Sequence, residues 1–274
     1  MVQIAMTSKL IFYYIYWAIR LRIPAWYYFQ INAEWYNKEK NLYSKIDIDK
    51  HIPKEWLLKQ EYFTKDMKIS NFPVFLKPEW GQNANGIVRI DSSEELNNFD
   101  IKDKKTPYIV QEAAKENTEY EVFYIRGTEK TNQYPVLTLT KAINTRQGKY
   151  PINHIRNENV KYVDSTSDFS SFELEKVKSI LNKLPAFRIA RISLKTNSKN
   201  DLLEGLFHII EINLFAPYPI NLLDENTSQK DKDKFVKDAM YDLVKVTQTI
   251  PKEHFNKFVF TNKIIKHYQT KGLL

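Results

Sequence analysis

Lys77 ends an apolar, strand-like run from Phe72 to Leu76, and Pro78 follows it. Proline cannot donate to a ladder, so the strand has to stop or turn there. Gly81 and Gly86 then bracket Gln82, Asn83, Ala84 and Asn85, residue types that tolerate turns and positive φ. A lysine at a strand end, beside a loop rich in N–H groups, is a cradle for phosphate. The glycine spacing mimics a P-loop, but Ile87 and Val88 stand where Lys and Ser/Thr would be needed, which excludes that motif. A plain hairpin with a polar tip is the other reading of the same residues.

Carboxylates, amides and cations cluster further on. With period two, Glu119, Glu121, Phe123 and Ile125 share one strand face. Two carboxylates on one face are either solvated or aimed at a ligand. Pro135–Lys141 is a further strand, ending in Lys141. Phe187–Lys195 and Leu206–Leu214 are predicted as a long-looped hairpin, with Asn197, Ser198, Asn200 and Gly205 between them. Arg191, Ser193 and Lys195 share one face of the first strand. On the return strand Ile210, Ile212 and Leu214 are core-like, and Glu211 and Asn213 face the other way. A carboxylate and an amide oxygen two residues apart are hard ligands suited to Mg²⁺, with Arg191 nearby for a phosphoryl or acyl oxygen. A polar sheet face in water is the competing reading.

The elements that would position these groups are partly legible. Ser92 with Glu95, and Ser170 with Glu173, are capping boxes that open helices, the second running to about Lys183. Asp231–Gln248 and Lys252–Gln269 have helical apolar spacing and are assigned to packing. A short helix is expected near Pro53. Leu10–Ile19 is the most apolar run, too short to span a bilayer, which takes ~20 residues. Arginines and aromatics follow it. Residues 10–29 read either as short helices packed on the body or as a segment at a membrane interface. The chain is 274 residues long and 43% hydrophobic, enough for one large domain or two lobes. The absence of cysteine excludes disulfides, thiolate zinc sites and cysteine nucleophiles. The net charge of +8 suits anionic partners, but the lysines are dispersed, so no nucleic-acid footprint is expected.

In chain order, PVFLKP with its glycine loop, YIVQEAAKENTEYEV, a strand lysine, and RIS followed by IIEIN resemble the ATP-grasp superfamily, nearest to D-alanine–D-alanine ligase-like proteins. The resemblance covers roughly residues 72–221, and the motif order makes it more specific than any one piece. It implies that Lys77 grips the ATP phosphates under a loop from Gly81 to Gly86 that includes Asn83 and Asn85. Gln111, Glu112, Ala113 and Ala114 would form a hinge reading adenine through backbone groups, and Glu119 would bind the ribose. Lys141 would be a further phosphate-contacting lysine, Arg191 would stabilise the reacting acyl group, and Glu211 and Asn213 would hold Mg²⁺. The implied fold is α+β, two lobes of antiparallel sheet around a nucleotide cleft. An aromatic, basic helical segment would occupy 1–58, the small lobe 59–108, and the large lobe with the C-terminal helices 109–274.

The implied activity is an ATP-dependent ligase joining a small-molecule carboxylate, an acidic glycan among the candidates, to an amine through an acyl phosphate. The expected location is cytoplasmic, with peripheral contact at the inner face of the membrane through residues 10–29. Three features depart from the family pattern. Ser193 stands where an R-x-D aspartate is expected, no earlier strand lysine is clear (Lys54 and Lys59 are the candidates), and the usual N-terminal α/β substrate domain is missing. A degenerate nucleotide-binding module, which Ser193 supports, and a small-molecule kinase remain as rival readings.

Overall fold

The computed structural model describes residues 2–80, 84–100, 107–127, 133–145, 151–153, 157–256, 258–262 and 265. Strands β1 (Gln60–Tyr62), β2 (Val74–Pro78), β3 (Val88–Ile90) and β4 (Tyr108–Glu112) form one antiparallel sheet in the order β1-β4-β2-β3. Strands β5 (Thr118–Ile125), β6 (Val136–Asn144), β7 (Val160–Asp164), β8 (Ile189–Thr196) and β9 (His208–Asn213) form a second, in the order β7-β6-β5-β8-β9. The helices are α1 (Val2–Arg20), α2 (Lys45–Asp49), α3 (Ser93–Asn98), α4 (Ser171–Leu181), α5 (Lys199–Leu203) and α6 (Gln229–Thr247). The architecture is α+β, with two antiparallel sheets in two lobes. β4 lies in the first sheet, so an expected division at 108 falls at the start of that strand rather than after it.

Strand alternation sorts each sheet into a core face and a site face. In β2, Val74 and Leu76 pack with Ile90, Leu96, Tyr108 and Val110 in the small-lobe core, which turns Phe75 and Lys77 to the other face. In β5, Tyr120, Val122 and Tyr124 join Val177 and Leu181 of α4. Phe123 and Ile125 lie on the opposite face under α6 and α1, with Val236, Ala239 and Met6. Glu119 and Glu121 continue that face beyond the helices, where the sheet looks towards the small lobe.

The helix starts follow their caps. Ser170 and Glu173 form the full capping box of α4. Ser92 caps α3, but Glu95 reaches back to the Asp91 N–H instead of closing the box. Between β8 and β9 the expected loop contains α5, started by Ser198. Residues 10–29 hold the end of α1, a helix of 19 residues and so longer than expected, and most of a 3₁₀ helix, Ala25–Gln30. Lys54–Trp56, where a short helix was expected, is a 3₁₀ turn after Pro53. Over the expected helix from Lys252 to Gln269, Lys252–His254 is a 3₁₀ turn and helix resumes over 258–262; residues 257, 263, 264 and 266–269 lie outside the described residues.

Trp56 ties the amino-terminal segment to the large-lobe core. It is 2% exposed, its Nε1 donates to the Gly205 carbonyl at 3.0 Å, and its ring lies 4.9 Å from Phe207. Trp56→Ala is expected to cost about 3–5 kcal/mol through the cavity it leaves. Urea unfolding monitored by far-UV circular dichroism checks this, and a loss under about 1 kcal/mol would mean that the segment does not belong to the core.

Candidate functional site

Lys77 projects from the end of β2 into the space between the lobes and is 4% exposed. Its Nζ donates to Gln111 Oε1 at 2.9 Å and to the Ile210 carbonyl at 3.1 Å. That carbonyl is available because the β8–β9 register shifts between Ser193 and Leu194: Ser193 pairs with Glu211, but Leu194 pairs with Ile209. Ile210 is the extra residue of a bulge, a device that re-aims backbone and side chain near sites. It lines the cavity, where simple alternation had placed it in the core. Burial, then the neighbouring Lys45 ammonium, lower the Lys77 pKa to about 7, against the pull of Glu211 and Asp49.

The cavity measures about 420 Å³. Its floor is a polar row across three strands: Glu121 of β5, Ser193 of β8 and Glu211 of β9 pair in register. Ser193 Oγ lies 2.9 and 3.0 Å from the two carboxylate oxygens of Glu121. Arg191 Nε stands 3.1 Å from Glu121 Oε2 as an ion pair, without hydrogen-bond alignment. Burial raises the Glu121 pKa, while Arg191 and Ser193 oppose the shift. Glu211 behaves in the opposite way: burial pushes it up, but Lys45, Lys77 and Arg191 outweigh that and hold it at about 2. Lys45 Nζ is 3.2 Å from Glu211 Oε1, and Asn213 Nδ2 donates to Glu211 Oε2 at 3.3 Å.

Glu119 lies one pair along, opposite Lys195, and accepts from Asn153 Nδ2 at 2.9 Å. Burial, then the nearby Glu121 charge, raise its pKa from 4.5 to about 7. The folded chain therefore holds a proton that the unfolded chain releases, and stability is lost as pH rises from 4.5 through 7. Glu119→Gln removes this dependence. It should gain on wild type by up to roughly 1.4 kcal/mol per pH unit across that window. Urea unfolding at both ends of the window checks this; a stability difference that does not change with pH would contradict it.

Lys77, Asn85, Gln111, Glu112, Ala114, Glu119, Arg191, Glu211 and Asn213 all line the one cavity. Gly86 shapes its edge with φ +79°, and a Cβ there would meet Tyr108 OH at 3.0 Å. Ala113 is half-buried beside the cavity without lining it. Gly81 and Asn83 lie outside the described residues. Lys141 is elsewhere: it pairs with Tyr120, so it shares the face opposite Glu119 and Glu121, where it meets Asp168 at 3.3 Å.

Lys45 was not anticipated. Ser44 caps α2 by accepting from the Asp47 N–H, and a serine three residues before an aspartate is the signal that could have started a helix at Lys45. The wall from Phe215 to Tyr218 was also missed. Within it Ala216 has φ +47°, a strained value of the kind that collects at functional sites.

Mg²⁺ is bound by one or two carboxylates together with substrate phosphates, and it keeps several waters. Glu211, held ionised, and the amide oxygen of Asn213 fit that pattern. Among the described residues no group of three His, Cys, Asp or Glu converges on a metal position, so a cage made of protein alone is not on offer.

No family model and no curated protein matches the chain. Among solved structures it is similar to D-alanine–D-alanine ligase from Bacillus anthracis (TM-score 0.47, 12% identity, covering 77% of this chain and 69% of that one). For that enzyme complexed with ATP the values are 0.48, 12%, 77% and 68%. An L-amino acid ligase from Bacillus licheniformis gives 0.45 and 13%, with 77% of this chain spanning 49% of that one, about half its length. With overlaps this partial, function rests on the cavity.

Proposed function

We propose that this chain is an ATP-grasp enzyme, an ATP-dependent carboxylate–amine ligase working through an acyl phosphate. The observation that carries the reading is the convergence of Lys77, Glu119, Arg191 and Glu211, from both sheets, on one cavity. Leu58, Phe75, Ile87 and Ala114 give that cavity an apolar part suited to a planar base. Glu119 is disposed to accept from ribose hydroxyls, and Lys77 to neutralise phosphate oxygens. Mg²⁺, held by Glu211 and Asn213, would draw charge from the terminal phosphate.

In such a reaction a carboxylate oxygen takes the terminal phosphoryl group and ADP leaves. The amine nitrogen then bonds to the acyl carbon as the C–O bond to phosphate breaks, and the amine loses a proton. Arg191 is placed to stabilise the oxyanion formed in that step. The buried hydroxyl of Tyr218 lacks a hydrogen-bond partner among the described residues and is available to a substrate. The substrates are small-molecule carboxylates and amines, and an acidic glycan suits a chain of net charge +8. ATP as phosphoryl donor suits a cytoplasmic reaction.

The rival is a nucleotide-binding module without ligase activity. Ser193 favours it, since a serine replaces an expected acid. The register bears on this point, because an aspartate at 193 would stand between Glu121 and Glu211 as a third carboxylate. Screening ADP release across pooled carboxylates and amines tests the reading. ADP with a coupled product supports it. Tight ATP binding without turnover supports the module, and ADP with a stable phosphorylated product supports a kinase.

A further inference from the structure

Gln3 and Thr7, in the first turns of α1, form part of the cavity wall. The rest of that helix has two apolar faces. One buries Met6, Tyr14 and Ala18 in the cluster that includes α6. On the other, Ile4, Ile11, Phe12, Ile15, Tyr16 and Ile19 are between 37% and 72% exposed. From Ile11 to Ile19, spacings of three and four residues make these side chains one continuous stripe, and Ile4 lies two turns before it. Single exposed apolar residues are ordinary, but a stripe beside a cavity marks an interaction surface. Trp26, past the helix end, is also exposed. No helix among the described residues is long and apolar enough to cross a membrane.

The charges say what covers the stripe. Glu34 is the first acidic residue of the chain, and only Lys9, Arg20 and Arg22 carry charge before it. Lys9 pairs with Asp233 of α6. Arg20 and Arg22 are exposed where the stripe ends, and the Arg20 guanidinium lies 5.8 Å above the Tyr16 ring. A second copy of this helix would offer these arginines no carboxylate, since none precedes Glu34. An anionic bilayer satisfies every group: the aliphatic side chains enter the acyl boundary, the aromatics sit at headgroup level, and the arginines meet phosphates.

We infer that the outer face of α1 docks on an anionic lipid bilayer and holds the cavity beside the headgroup layer. The inference does not depend on the ligase reading. Flotation of the full chain with phosphatidylcholine vesicles containing phosphatidylglycerol is the test. Binding should weaken about fivefold for each of Arg20→Gln and Arg22→Gln, and fall with salt. It should drop at least roughly tenfold in the triple variant Ile11→Ser, Phe12→Ser, Ile15→Ser. All of these positions are exposed, so the unfolding temperature should hold. Absence of vesicle binding, or binding that the triple variant leaves unchanged, would overturn the proposal. So would a dimer in sedimentation velocity that the triple variant dissolves while vesicles stay unbound. ATP titrations on the same preparations keep the two readings apart: intact nucleotide binding without vesicle binding removes only the docking, and the converse removes only the ligase.

Discussion

Lys77→Met should weaken ATP binding by roughly 100- to 1000-fold, the loss expected when one partner of a buried charged contact is truncated. The side chain is enclosed, its two hydrogen-bond acceptors are neutral, and burial with Lys45 holds its pKa at about 7. A triphosphate would restore the charged form, so binding should take up a proton above that pH. Affinity in the wild type should fall as pH rises from about 7, by up to roughly tenfold per unit, and the variant should lack this dependence.

Stability moves the other way. Between 7 and the ordinary value of 10.5 the unfolded chain holds the proton and the folded chain does not, so wild-type stability rises with pH across that window. The methionine variant lacks the rise and is the more stable of the two near pH 7. Calorimetric ATP titrations and urea unfolding at about pH 6 and about pH 9 read both effects. Unchanged ATP affinity in the variant would remove Lys77 from the site.

Glu211→Gln should raise the divalent cation concentration needed for activity and lower turnover by roughly 10³-fold, the scale of one lost electrostatic contact in a transition state. It would also leave Lys45 and Lys77 facing each other with Asp49 as the remaining carboxylate that acts on both. Removing one partner of a buried pair costs about 3–5 kcal/mol. The Glu211 side chain is 24% exposed, so about 2 kcal/mol is the better expectation for the protein without ligands. Mn²⁺ affinity measured by electron paramagnetic resonance in the presence of ADP separates the two effects. Unaltered Mn²⁺ binding would place the metal elsewhere, whatever happened to activity.

Much of the arrangement was legible because it follows from strand period. Glu119 and Glu121 on one face, Arg191 and Ser193 on another, and Glu211 with Asn213 are consequences of alternation that the ladder keeps. Alternation also shows why Lys141 failed. Its type and motif order resembled a phosphate ligand, but its parity with Tyr120 turns it to the other face, a relation that needs the β5–β6 register. Ile210 shows the converse: one extra residue in β9 defeats period two and yields the carbonyl that Lys77 uses. Lys45 was hidden because α2 is only five residues long, and its role depends on packing against β9 rather than on its own sequence. The N-cap serines Ser92 and Ser170 were readable; Gln3 and Thr7 as cavity wall were not, because that contact joins the amino terminus to strands far along the chain.

The most direct measurement is a crystal structure with a non-hydrolysable ATP analogue and Mg²⁺. The triphosphate should lie between Lys77 and Glu211, the metal on Glu211 and Asn213, the ribose on Glu119 and the base beside Glu112–Ala114. A nucleotide bound on any other surface, with this cavity empty, would contradict the account.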